Sequence, residues 1–204
     1  FAYQGFFDEV ALAAERDLLE FRLDLLSRSY GEPPLDLERT AGTLRVVAEK
    51  SGWGRKMAPG RGLGMAFHFD HGGFVSHVVE VSAEGSRIRV EKVWSGIDVG
   101  PVLNLSGARN QVEGCVVDAL STAQLEITFE GGAAVQGNFD DYGLLRIDQA
   151  PPDIECHFIQ SDFPPMGLGE PPIAPATPAI VNAIHAATGT RIRELPLSRA
   201  GISV

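Results

Sequence analysis

Met65-Ala66-Phe67-His68-Phe69, Phe74-Val75-Ser76-His77-Val78-Val79-Glu80-Val81 and Ile88-Arg89-Val90-Glu91-Lys92-Val93 shift the apolar pattern from a helical to an alternating period. Alternation is the signature of a strand, whose successive side chains point to opposite faces. These three runs are read as strands of one sheet. Ala83-Glu84-Gly85-Ser86 between the second and third is a short glycine-containing connection that makes them an antiparallel hairpin. Further on, residues 125–129 and 133–136 flank Glu130-Gly131-Gly132 as another hairpin, and residues 154–159 form one more strand.

Helical spacing surrounds this sheet. Phe6, Val10, Ala13, Ala14, Leu18, Phe21 and Leu25 recur every three to four positions, predicting one helix over residues 6–26 with a single buried stripe. Gly31-Glu32-Pro33-Pro34 stops it, and a second short helix is predicted over 40–50. A linker rich in glycine and basic residues follows at 51–62. Residues 105–120 carry small and apolar side chains at helical spacing. A proline-rich loop over 161–175 leads into a helix over 176–187, which Gly189 terminates. The fold class is therefore α+β: a mostly antiparallel sheet with packed helices, divided into a helical segment at 1–55 and an α+β lobe at 56–204.

Composition excludes several classes. A chain of 204 residues with 44% hydrophobic content can build a sizeable core without metal or disulfides. Its charge of -10 and pI near 4.9, with no basic face, argue against a nucleic-acid partner. Cys115 and Cys156 form no C-x-x-C pair, so neither a zinc site nor a disulfide framework is suggested. No apolar run approaches the roughly 20 residues of a membrane helix. The opening Phe1-Ala2-Tyr3-Gln4-Gly5-Phe6 lacks an initiator methionine, which leads us to expect that the chain begins inside a longer gene product.

The chemistry concentrates at Gly167-Leu168-Gly169-Glu170, followed by Pro171-Pro172 and a helix. Glycines let backbone approach a bulky ligand, and prolines limit loop motion, so the segment holds one carboxylate in a stiff loop near a helix N-terminus. That arrangement suits a general base whose partial burial brings its pKa toward neutrality; a helix-capping or solvent-exposed glutamate is the plain alternative. His68-Phe69-Asp70-His71 carries potential metal ligands, but on a strand His68 and Asp70 share a face while His71 points away unless the chain turns at Gly72-Gly73. We therefore assign no metal ligands, and a place in a substrate funnel is the better functional reading. His77 and His185 read as ordinary packed or surface residues. No G-x-S-x-G elbow occurs, which excludes a serine hydrolase of that type.

Residues 167–196, GLGEPPIAPATPAIVNAIHAATGTRIRELP, resemble the closing segment of molybdenum-binding subunits of the xanthine oxidase and aldehyde oxidase superfamily. The isoquinoline 1-oxidoreductase large-subunit type is the most similar. Matching pieces follow in the family's order: Phe7-Asp8-Glu9-Val10-Ala11, Leu19-Glu20-Phe21-Arg22, Val79-Glu80-Val81, Trp94-Ser95-Gly96-Ile97-Asp98-Val99-Gly100, Asn104, Gln111-Val112-Glu113-Gly114, Glu126-Ile127-Thr128 and Asn138-Phe139-Asp140-Asp141-Tyr142. The chain departs from the family at Asn104-Leu105 and Tyr142-Gly143, where Asn-Pro and Tyr-Pro are usual.

The resemblance implies the C-terminal part of a molybdenum hydroxylase subunit that hydroxylates N-heterocycles or oxidises aldehydes with water as oxygen source. It implies Glu170 as the catalytic base, Gly169 beside the metal and Gln111 as a pterin contact; a helix polar group satisfied by backbone is the other reading of Gln111. It further implies molybdopterin cytosine dinucleotide as cofactor, the upstream part of the same subunit as partner, and a small iron-sulfur subunit carrying a 2Fe-2S centre. A periplasmic location is expected, with cytoplasm as alternative. The family's Gly-Gln-Gly cofactor loop has no counterpart in these residues, so the isolated piece is not expected to turn over. A non-catalytic assembly module of the same fold, having lost the cofactor, is the alternative function.

Overall fold

In chain order, α1 (Ala2–Ala13), α2 (Leu18–Ser27) and α3 (Leu37–Ser51) precede β1 (Arg61–Asp70), β2 (Gly73–Glu84) and β3 (Arg87–Asp98). Then come α4 (Leu105–Thr122), the short strands β4 (Phe129–Glu130) and β5 (Ala133–Ala134), β6 (Ile154–Phe158), α5 (Ile173–Thr188) and a 3-10 turn at Leu197–Ala200. The computed structural model describes residues 1–28 and 36–204. The predicted helix stop at Gly31-Glu32-Pro33-Pro34 lies outside the described residues. No described helix is long and apolar enough to cross a membrane.

The sheet runs β1-β2-β3-β6, antiparallel except for β6, which lies parallel to β3. The expected α+β architecture is thus what forms. Helices cover both faces. On one side Ala66, Val79, Val81 and Val93 pack with Val116 and Leu120 of α4 and Ile180 and Ile184 of α5. On the other, Leu63, Met65, Val78 and Trp94 pack with Leu44 and Val47 of α3. Two-sided covering explains why β2 is buried without a break from Gly73 to Val81, unlike an antiparallel strand with one wet face.

The predicted single helix over 6–26 is two helices. The chain turns back after α1, with Glu15 at φ 53, and Asp17 starts α2 by accepting the N–H groups of Leu19 and Glu20. The apolar spacing continues through this break, so period alone does not reveal it. Inside the corner the buried Arg22 guanidinium donates to Asp8 at 2.5 Å and reaches the carbonyls of Gln4 and Met65.

β1 extends into what the sequence reads as linker, because Gly62 and Gly64 belong to it and carry no side chain to show the alternation. Their bareness has a packing role. A Cβ on Gly64 would stand 2.1 Å from the backbone nitrogen of Ala183 in α5. The hairpin expected over 125–136 shrinks to two paired residues per strand, Phe129–Glu130 with Ala133–Ala134, all exposed.

Candidate active site

The loop ahead of α5 is held from several sides. Asp98, at the end of β3, accepts two hydrogen bonds from Arg39 of α3 at 2.8 and 2.9 Å, one from Ser161 at 2.7 Å and one from the Gly100 N–H. Burial opposes ionisation of Asp98, but these donors outweigh it and hold its pKa below the ordinary carboxylate value. The Arg39 guanidinium is itself sandwiched between the rings of Phe74 and Phe163, 4.3 and 4.2 Å from their centroids. Met166 N–H donates to the Val99 carbonyl at 2.9 Å, continuing the attachment to the sheet edge. Leu168 packs on the cluster of Val75, Ile97, Val99 and Val112, the last of which lies on α4.

Seating Leu168 there brings α4 alongside Gly169. The Cys115 thiol donates to the Gly169 carbonyl at 3.1 Å, and a Cβ on Gly169 would lie 3.7 Å from Gln111 Nε2. Burial raises the Cys115 pKa, which keeps the sulfur protonated as the donor this bond needs. Gln111 is exposed, and among the described residues its amide takes no hydrogen-bond partner. It is therefore not satisfied by backbone. Cys115 lies one helical turn beyond Gln111 on the same face, a spacing in which its part was visible although sequence reasoning gave it no role in a site.

Glu170 follows at the end of the loop, where its carbonyl accepts the Ile173 N–H that starts α5. Its side chain is 70% exposed in this chain, which corrects the expectation of partial burial. Of the three residues expected to share a site, Gly169 lies beside Gln111, and Glu170 follows Gly169 directly in the loop. A fourth joins them from the far end of the β1–β2 hairpin. Asp70 pairs with Gly73, so His71 and Gly72 form a two-residue turn with φ 48 and 76, the left-handed pair that twisted hairpins favour. This turn returns His71 toward Glu170, with Nε2 3.0 Å from Oε2. Asp70, not His68, is its near neighbour, at 3.6 Å. Sequence reasoning missed the His71–Glu170 pair, which lies 99 positions apart in the chain.

Behind the site, His77 is wholly buried. A carbonyl can only accept, so Nε2 carries the proton donated to the Pro172 oxygen at 2.8 Å, and Nδ1 accepts from the Ser95 hydroxyl at 2.9 Å. Burial lowers its pKa to about 4, against the pull of the Pro172 bond, so the ring is neutral near pH 7. His77 thereby ties the start of α5, just past Glu170, to the middle of the sheet.

The profile described as molybdopterin cofactor-binding domain matches residues 25–151. The chain belongs to this family. The chain is 32% identical, over 98% of its own length, to the isoquinoline 1-oxidoreductase subunit beta of Brevundimonas diminuta, of which it spans 25%. It is 33% identical, over 97% of its length and 27% of the relative's, to a membrane-bound aldehyde dehydrogenase of Gluconacetobacter polyoxogenes whose name carries pyrroloquinoline quinone. Among solved structures, the aldehyde oxidoreductase of Desulfovibrio desulfuricans superposes with a TM-score of 0.55 at 27% identity, covering 61% of this chain and 14% of that one. The residues present fit the cofactor that names the family. A Gln111 amide without a partner among the described residues and a Gly169 with no side chain offer polar edges without bulk, next in the chain to the exposed Glu170 carboxylate that His71 contacts.

Proposed function

We propose that this molybdopterin cofactor-binding domain supplies the general base of a molybdenum hydroxylase subunit, which hydroxylates N-heterocycles or oxidises aldehydes using water. The convergence of Glu170, Gly169 and Gln111, brought together by the packing of Leu168 and Val112, carries this reading. The N-heterocycle class follows the isoquinoline relative and the aldehyde class the second relative and the solved structure. A molybdopterin cytosine dinucleotide, the upstream part of the subunit and a small iron-sulfur subunit complete the assembly proposed.

When bound, the cofactor supplies the redox centre that accepts the substrate's electrons. The chain's own residues do the rest. Gln111 would donate its amide to the pterin, and Gly169, lacking a side chain, would let the loop backbone lie against the cofactor. Glu170 removes a proton at its carboxylate, in a position set by the Leu168 contact on one side and the His77–Pro172 bond on the other.

Glu170→Gln in the complete, cofactor-loaded protein tests the assignment. Turnover is expected to fall at least about 10²-fold, the lower range for loss of a general base, at unchanged molybdenum content. Full turnover of the loaded variant overturns the role.

A further inference from the structure

We propose that His71 is a further catalytic residue, which takes from Glu170 the proton acquired in each turnover and releases it to solvent. The inference rests on the reading of Glu170 as base. A base that has accepted a proton must lose it before acting again, and His71 Nε2 stands 3.0 Å from the Glu170 carboxyl oxygen on a ring that is 67% exposed in this chain. In the step, the Glu170 O–H bond breaks as an N–H bond forms at unprotonated Nε2, leaving a carboxylate and an imidazolium. The imidazolium passes a proton to water or a buffer base, and exchange with water restores the starting tautomer. No electrons change hands.

The contact is built rather than casual. The Asp70 carboxylate accepts the His71 backbone N–H at 2.9 Å, and Arg39 Nη1 donates to the Gly72 carbonyl at 3.3 Å, tying the turn to the same guanidinium that grips Asp98 and Phe163. A Cβ on Gly72 would strike the Met166 methyl at 2.3 Å, and one on Gly73 would meet Pro171 at 3.1 Å. The turn therefore presses on the catalytic loop both before and after Glu170. The charged groups facing His71 are the Asp70 and Glu170 carboxylates and the Arg39 cation, which is bound through the turn and neutralised by Asp98. An exposed pair of this kind contributes little to stability. A side chain with a Cβ held at φ 48 is moreover costlier than glycine there. Both facts direct the explanation to chemistry rather than folding.

The test uses the complete loaded protein with His71→Asn and His71→Gly, two residues that accept a left-handed turn, beside Glu170→Gln. All assays contain a chelator, because Asp70, His71 and Glu170 offer ligand atoms within 4.8 Å of one another. In dilute buffer the His71 variants are expected to lose about 10²-fold in kcat, the lower range for acid–base transfer, and to recover it with added imidazole, while the native rate ignores imidazole. In the cofactor-free protein, the His71 ring-nitrogen NMR signals should shift on Glu170→Gln. Native turnover in the His71 variants, a loss that imidazole does not restore, or unshifted ring signals overturns the relay. Full turnover of Glu170→Gln overturns the base and the relay together, whereas its inactivity beside fully active His71 variants overturns the relay alone.

Discussion

At the residue scale the fold depends on the protonation of one imidazole. Unfolded, His77 titrates near 6.5; folded, burial lowers that to about 4. Between these values the unfolded chain binds the extra proton, so the contribution of neutral His77 is complete above about pH 6.5 and declines as the pH falls toward 4. From pH 7 to pH 5 this amounts to about 2 kcal/mol, at 1.36 kcal/mol for each pKa unit. Urea unfolding at both pH values should show that loss in the native chain and a smaller one in His77→Gln, whose amide still donates to Pro172; equal losses refute the account. The sequence places His77 on a strand but cannot show Pro172 opposite it. Glu170 and Gly169 were legible because their motif is contiguous. His71 was not, because its contact with Glu170 depends on a hairpin turn and a loop docking against each other.

Among the elements, β1 and α5 show what spacing conveys and what it hides. The strands rich in apolar side chains, and α3, α4 and α5, stand close to where their periods put them. The N-terminal half of β1 escaped because its informative residues are glycines. Gly64 allows the backbones of β1 and α5 to touch, and an alanine Cβ would lie 2.1 Å from Ala183 N and 2.3 Å from Ala179 O. Neither neighbour is a side chain able to swing away. Gly64→Ala is therefore expected to cost more than about 3 kcal/mol, beyond the usual range for overpacking, because backbone must separate. Gly137→Ala, with nothing within 4 Å, should change stability by less than about 0.5 kcal/mol. Comparable denaturation midpoints for the two variants would refute the close-approach argument. The break between α1 and α2 failed to show for a different reason: the apolar spacing runs through both helices, but the expected buried stripe does not form, since Phe6, Ala13, Ala14 and Leu25 are exposed while Gln4, Asp8, Ala11 and Arg22 are buried around the Arg22–Asp8 pair, a contact between separate helices.

Across the whole molecule, stability should follow how many layers cover each element. β2 and α5 lie where the sheet and helices meet, with β2 enclosed by helices on both faces. Among the described residues, residues 125–149 have a two-residue ladder as their only strand pairing, and present Phe139 at 81% and Ile147 at 95% exposure. Their attachments are few: Leu145 reaches the core and its N–H donates to the Ser121 hydroxyl, while Arg199 pairs with Glu126. Local opening requires only the contacts of the opened segment to be lost, so its free energy should be near zero here and approach the global value in β2. Amide hydrogen exchange on this chain should accordingly exchange most of 125–149 within the earliest time points while β2 and the middle of α5 stay protected. Protection of 125–149 equal to that of β2 would show that the layer count does not govern stability in this fold. The loop that carries Glu170 is expected between these extremes, because Gly167 and Gly169 are exposed but the loop is anchored by Met166 N–H to Val99, by Leu168 to the cluster of Val75, Ile97 and Val112, and by the Pro172 carbonyl to His77.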